Sequence, residues 1–327
     1  HRETVFVRRT QFLWNDSWHE RIALRNYGRT TETLRLDLLF DADFADLFEV
    51  RGTRRPRRGT QTVRVLDDSS VHFRYRGLDD IERWTTLRFD PAPERIEPRR
   101  ASFAPTLEPG GRHSLAIEIA CTQGKPGPAQ GFWRAFRDSR RARRALVRGV
   151  PVIASSNALF DEVVSRAKAD LAMLVTATEH GPYPYAGIPW FSTPFGRDGI
   201  LTALLTLWWN PDLSRGVLRM LAAMQATEVD PAADAQPGKI LHEMRRGEMA
   251  NCGEVPFRRY YGSIDSTPLF LVLAGAYFRR TGDAATIDAI WPQIEAALGW
   301  LDRFGDRDGD GFVEYLRERE SGLANQG

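Results

Sequence analysis

The sequence predicts a multidomain β + α protein, an N-terminal antiparallel β-sandwich followed by a ring of paired helices. Three observations carry this. Apolar and β-branched residues recur at every second position through residues 1–122. A Gly- and Pro-rich loop, QGKPGPAQG, follows at 123–131. From about residue 156 the apolar period becomes helical.

Seven segments read as strands: FVRRTQF, HERIALRNYG, TLRLDLLFDA, TVRVLDD, VHFRYRG, ERWTTLRFD and HSLAIEIAC. Turn signals separate them, among them Asn26-Tyr27-Gly28, Asp67-Asp68-Ser69 and Pro109-Gly110-Gly111. Short, regularly spaced strands of this kind pack as two sheets around one core. Residues 123–155 read as a linker, with the Arg-rich run 137–148 as a solvated helical connector. In 156–327, Leu159, Val163, Ala167, Leu171 and Leu174 form one apolar stripe behind the candidate cap Asn157. Further helices are expected at 198–209, 214–227, 265–280 and 284–304, with Ser214, Asp265 and Asp283 at their starts. The intervening segments 178–197, 229–264 and 305–327 are rich in Trp, Tyr, His, Glu and Arg. Long connections of that composition build sites rather than linkers.

Composition excludes several classes. Among 327 residues the formal net charge is +2, and 27% are charged. No run approaches the roughly 18–20 apolar residues that span a bilayer, so no membrane partner is expected. The Arg runs at 51–58 and 137–148 come without a nucleic-acid-binding module, so no nucleic-acid partner is expected. Cys121 and Cys252 lie in different expected domains and read as two free thiols of a cytoplasmic protein. The chain opens on His1 without a starting Met or a secretion signal, which reads as a missing true N-terminus.

Four segments carry chemistry. The first runs from Pro182 through Trp190 and Phe191 to Gly196-Arg197-Asp198-Gly199. Aromatic faces stack on the C–H face of a pyranose, and charged groups take its hydroxyls. A structural Arg-Asp pair at a helix start is the plainer alternative, since the helix dipole favours Asp198 there. The second is Gly238-Lys239-Ile240-Leu241-His242-Glu243-Met244-Arg245-Arg246-Gly247-Glu248. A zinc protease motif would need a second His at 246, where Arg stands. His242 is a packed loop histidine or a hydroxyl partner, and Glu243 or Glu248 can fix Arg245. The third, Tyr260-Tyr261-Gly262-Ser263-Ile264-Asp265, offers two stacking rings and an acid that either caps a helix or meets a sugar. The fourth, Asp306-Arg307-Asp308-Gly309-Asp310-Gly311, is the first half of a Ca²⁺ loop. The twelfth position of an EF-hand is Arg317 rather than Glu. That leaves a structural turn, or a single structural Ca²⁺ on Asp306, Asp308 and Asp310 with help from Glu314.

The ordered set resembles bacterial glycogen debranching enzymes of the amylo-α-1,6-glucosidase family. The second segment is similar to that family's "GKI-HE-R-GE" stretch, the third to "YYGSVDATPLF", and Gly311 to Tyr315 to "GFVEY". Asp41 to Gly52 resembles the "DFADLFEVRG" signature of the preceding β domain. The resemblance implies an incomplete (α/α)6 six-hairpin barrel after the sandwich. It implies an inverting glycoside hydrolase acting on α-glucan, with no cofactor needed. Arg197 and Asp198 would bind the non-reducing sugar, walled by Trp190 and Phe191. His242, Glu243, Arg245, Glu248, Tyr260, Tyr261, Asp265 and Glu314 would be further substrate-binding residues. The family's acid is expected in a "WKDS"-like motif directly after Glu320 to Gly327, and its base later still. No catalytic residue is therefore expected inside this chain, which should be inactive alone and should expose apolar helix faces. Glu243 and Glu248 are the next candidates for an acid. Related six-hairpin glycosidases acting on glucosyl- or mannosyl-glycerate, and a non-catalytic carbohydrate-binding protein, are the alternatives.

Overall fold

A computed structural model describes residues 4–146 and 150–314. Two compact units divide between Ala145 and Leu146. Tyr315, Arg317 and the stretch 320–327, on which part of the sequence reading falls, lie outside the described residues.

The first unit opens with two ten-residue strands, β1 (Val5–Trp14) and β2 (Ser17–Asn26). The short β3 (Glu32–Thr33) and β4 (Leu36–Leu39) follow, then a one-turn helix α1 (Leu47–Val50). That turn forms because Asp46 and Glu49 make a reciprocal capping box. Then come β5 (Thr60–Asp67), β6 (Ser70–Arg76) and β7 (Glu82–Asp90). β8 (Arg95–Glu97), β9 (Arg100–Phe103), β10 (Thr106–Leu107) and β11 (Arg112–Gln123) complete the set. Each of the seven expected strands has a counterpart. β8, β9 and β10 were not expected, because at two to four residues they are too short to show a period.

Six strands form one antiparallel sheet in the order β1-β2-β11-β7-β6-β5, and β4-β9-β8 form a smaller one. Alternation decides what each face carries. Ile22, Leu24, Val71, Phe73, Leu87, Phe89, Leu115 and Ile117 of the large sheet share one core with Ala101 and Phe103 of the small one. The opposite face of the large sheet is polar. Its first positions are covered by helix α2 (Phe132–Leu146). Phe12 meets Phe132 and Phe136 edge-on at 5.2 and 5.5 Å, and the Arg21 guanidinium lies over Trp133 at 5.4 Å. The expected linker is thus partly wrong. Its aromatic turn packs on the sandwich through Phe132 and Phe136, whereas Trp133 and the arginines of the helix are largely exposed.

The second unit begins with α3 (Ala158–Leu174), where Asn157 accepts the N–H groups of Leu159 and Phe160. The apolar stripe of α3 is not covered: Leu159 is 69% and Val163 58% exposed. A hairpin of β12 (Val175–Thr178) and β13 (Gly181–Pro184) leads to α4 (Gly196–Thr206) and α5 (Pro211–Ala223). Then follow α6 (Glu248–Asn251), α7 (Ser266–Thr281), α8 (Ala284–Ala289) and α9 (Trp291–Trp300), which ends in a π-helical turn, Leu301–Gly305. Ser214 does not cap α5. The helix starts earlier at Pro211, whose missing N–H suits a first turn, and the Ser214 hydroxyl donates to Ala203 O of α4 at 3.1 Å. The single helix expected over 284–304 is broken at Ile290, because Pro292 cannot continue a backbone ladder. Asp283 caps α8 through Thr286 N.

The core of this unit joins α4, α5, α7 and α9 through Ile200, Leu218, Leu221, Phe270, Leu273 and Ala297. Ile240 and Leu241, which belong to no helix, are fully buried in it. Their strip is held by side chains and turns: Ile240 N donates to Thr267 Oγ1 at 3.0 Å, and Lys239 O accepts from Ala226 N at 3.0 Å. Among the described residues no helix is long and apolar enough to cross a membrane. Cys121 and Cys252 are exposed and are not joined in a disulfide.

Candidate functional site

Three segments far apart in sequence meet at the start of α4. Bridges pair Phe195 with Glu243 and Glu243 with Tyr260. Gly196 N donates to His242 O at 2.8 Å, His242 N to Tyr260 O at 2.8 Å, and Tyr260 N to Glu243 O at 2.9 Å. The close approach depends on Gly196, where an added Cβ would stand 1.9 Å from Leu241 O. Tyr183, wholly buried, ties the hairpin to this point by donating its hydroxyl to Phe195 O at 2.8 Å.

On this scaffold sits a charged cluster. Asp198 lies in the first turn of α4, as expected. Arg197, however, makes its ion pair across the chain, with Asp265 Oδ2 at 2.9 Å, both side chains one-third exposed. Asp265 occupies the start of α7 but makes no capping bond there. Its carboxylate takes the Arg197 guanidinium and the Ser263 hydroxyl instead. Burial pushes the Asp265 carboxyl up, but these two hydrogen bonds outweigh it, so the group is held below its usual range and stays ionised.

His242 is 3% exposed, set edge-on between Phe195 and Tyr260 with centroids at 5.8 and 5.9 Å. Burial, then the Arg197 charge, drives its pKa down to about 4 against the pull of Asp265 and Asp198. The ring is therefore a neutral partner at physiological pH. The sign for stability follows from linkage. A base whose folded pKa is depressed contributes fully above its unfolded value, near 6.5, and loses that contribution as pH falls towards 4. Glu243, raised by burial against the attraction of Arg245, works in the opposite sense. The difference in unfolding free energy between the wild-type chain and His242→Gln isolates the histidine. That difference is expected to shrink by on the order of 3 kcal/mol between pH 7 and pH 4, as read by urea titration. A difference constant with pH would mean that His242 is not desolvated.

Glu243 and Arg245 form a buried pair at 2.9 Å, with side chains 4% and 6% exposed. Arg245 also donates to Trp190 O at 2.5 Å and lies over the Trp190 ring at 4.5 Å. Glu243 thus acts on Arg245, and Arg245 holds the Trp190 loop. Phe191, half exposed, meets Phe195 edge-on at 5.6 Å. Glu248, 4% exposed, opens α6. Tyr260 and Tyr261 are each 5% exposed, and their hydroxyls donate to Asp234 Oδ2 at 3.0 Å and Met224 O at 2.8 Å. The Tyr260 ring, so enclosed, presents no open face for stacking, contrary to the expectation from sequence, whereas Tyr261 forms part of a cavity wall. Ser263 and Asp234 join the site only in the structure. Ser263 stands inside the quoted tyrosine segment, whereas nothing in the sequence around Asp234 distinguishes it from a loop residue.

Beside Arg245 opens a cavity of about 870 Å³, whose wall includes Arg246, Arg258, Arg259, Glu228 and Asn251 but not Arg197 or Asp265. Glu314 is elsewhere. Its backbone N–H donates to Gly305 O and its Oε2 accepts from Arg307 N. Asp306, Asp308, Asp310 and Glu314 bring one oxygen each within 4.8 Å of the others. Asp306 already accepts from Gly309 N and Gly311 N, and Asp308 and Asp310 each close a turn. The oxygens suit a hard cation, and the loop is also complete without one.

Residues 1–118 match the sequence family described as the N-terminal domain of (some) glycogen debranching enzymes. No curated protein matches the chain. Among solved structures, a putative kojibiose phosphorylase from human microbiome is similar with a TM-score of 0.56 at 10% identity, over 90% of this chain and 42% of that one. A polysaccharide lyase, BACCELL_00875, superposes poorly, with a TM-score of 0.26 at 10% identity, over 93% of this chain and 57% of that one. The chain therefore spans less than half the length of the phosphorylase whose fold it shares.

Proposed function

We propose that this chain contributes the sugar-binding face of an α-glucan-active glycoside hydrolase of the amylo-α-1,6-glucosidase type. The observation that carries the reading is the convergence of Arg197, Asp265, Asp198 and neutral His242 at one helix start, beside Trp190 and Phe191. A partly exposed guanidinium, two carboxyl groups and an uncharged imidazole are donors and acceptors for vicinal hydroxyls. Exposed aromatic surface at Phe191 gives the sugar an apolar wall. The match of the sandwich to the debranching N-terminal family supports α-glucan as the substrate class. Helices α3 to α9 are read as pairs of an (α/α)6 barrel, as the family resemblance implies.

In this reading Arg197 and Asp265 orient each other and the terminal sugar, and Asp198 takes a second hydroxyl. The 870 Å³ cavity receives the rest of the glucan. Proton transfer belongs to two carboxyl groups outside the cluster, as the family resemblance implies. A Ca²⁺ at Asp306, Asp308, Asp310 and Glu314 would be structural only.

The test is glucose release from an α-1,6-branched limit dextrin by the complete gene product. Asp198→Asn is expected to lower kcat/KM by about 10–100-fold, the value of one hydrogen bond to a charged group. Turnover of glucosyl- or mannosyl-glycerate without glucose release from any glucan would keep the site and overturn the substrate. Release of a sugar phosphate, only when inorganic phosphate is present, would overturn hydrolysis.

A further inference from the structure

Helix α2 concentrates positive charge. Its fifteen residues hold six arginines against one aspartate, in a chain whose formal net charge is +2. Phe132 and Ala135 are buried, and Phe132 and Phe136 pack against Phe12 of the sandwich. At about 3.6 residues per turn, Trp133, Arg134, Arg137, Arg140, Arg141 and Arg144 fall within about 120° of one another on the opposite face. All six are exposed, Trp133 at 64% and the side chains of Arg134, Arg137 and Arg141 at 76, 68 and 78%. The row from Arg134 to Arg144 is about 15 Å long.

Folding alone does not account for this face. Arg134, Arg137, Arg141 and Arg144 follow at three- and four-residue steps, and like charges so spaced repel. The helix dipole favours Arg143 and Arg144 in the last turn and disfavours Arg134 in the first. Among the described residues, Asp138 is the one carboxylate within ion-pair distance of the row, and Arg134, Arg137 and Arg141 share it at 3.8 to 4.0 Å. Several guanidiniums thus divide one counter-charge, and a bound anion would relieve the repulsion that remains.

We propose that this face binds an α-glucan bearing phosphate monoesters, Trp133 taking a sugar ring and the arginines the phosphate beside it. The proposal rests on the α-glucan reading given above. A phosphomonoester carries nearly two negative charges and three acceptor oxygens, which suit neighbouring guanidiniums. The exposed indole offers a surface for the C–H face of a pyranose, and the Arg21 guanidinium over its ring at 5.4 Å steadies it. Trp133 adjoins Arg134 and stands one turn before Arg137, so the ring and the phosphate of one phosphorylated sugar meet neighbouring side chains. The sandwich on which α2 packs matches the debranching N-terminal family, which favours a glucan over a nucleic acid.

Equilibrium binding of a phosphorylated dextrin to the complete gene product, against the same dextrin stripped by phosphatase, tests it. The phosphorylated form is expected to bind about 10-fold more tightly, and the advantage should fall as salt is added. Arg137→Gln with Arg141→Gln and Arg144→Gln should abolish that advantage and leave limit-dextrin turnover unchanged. Glutamine preserves the helix, since its propensity is close to that of arginine. Trp133→Ala should weaken the binding of both dextrins. Asp198→Asn should keep the phosphate advantage, which tells loss of the site in the second unit from loss of this one. Equal binding of the two dextrins would overturn the proposal even where limit-dextrin turnover stands. An RNA oligonucleotide that binds more tightly than the phosphorylated dextrin, and is released by the three arginine substitutions, would overturn the ligand class.

Discussion

Glu243→Leu is expected to cost about 3–5 kcal/mol of stability, and Glu243→Leu with Arg245→Met to return most of it. Both side chains are nearly excluded from water, so the single change removes a counter-charge at 2.9 Å from a desolvated guanidinium. The contacts of Arg245 with Trp190 do not replace it, because a carbonyl and a ring face carry only partial charge. Removing both charges removes both desolvation penalties, and Leu and Met fill similar volume. The double variant should nevertheless lose sugar binding, because Arg245 no longer clasps the Trp190 loop. Urea unfolding of the two variants decides this. A single variant within about 1 kcal/mol of wild type, the value of an exposed pair, would show that water reaches Glu243.

Gly196→Ala carries the second large effect. Helix propensity alone favours alanine over glycine by about 1 kcal/mol. Sterics oppose it more strongly. The new methyl group would meet Leu241 O at 1.9 Å, and Leu241 lies fully buried with no room to withdraw. Either the first turn of α4 moves or the 240s strip does, and both break the bond from Gly196 N to His242 O. A net loss of about 3 kcal/mol or more is expected, with kcat/KM of the complete gene product falling by about 100-fold as Arg197 leaves Asp265. Thermal unfolding measures the first and limit-dextrin turnover the second. An unchanged melting temperature would mean that the strip yields.

The seven long strands were legible because one face of each is buried, which imposes period two. The strands of 95–107 were not, being shorter than any period. Helix ends failed where a proline intervened, at Pro211 and Pro292. Among the motifs, residue types were informative and partners were not. The adjacent letters Arg197 and Asp198 suggested a pair, whereas the ion pair formed with Asp265. Nothing local encodes that choice, since it depends on where α7 begins relative to α4. The enclosure of Tyr260 and Tyr261 is not legible for a similar reason. Asp234, which takes the Tyr260 hydroxyl, lies in a segment without a pattern, and Met224, which takes that of Tyr261, ends an expected helix whose period does not assign its carbonyl.

The bridges that join Phe195, Glu243 and Tyr260 also bear on the order of folding. Helices α4, α5 and α7 can each nucleate from neighbours in sequence, but the strip between them closes only when two long loops close together. Loop closure loses entropy before any of these contacts repays it. The charged cluster is therefore a late product of folding, assembled after the helices that carry it. Its amides should open together with the unit as a whole rather than fray one by one.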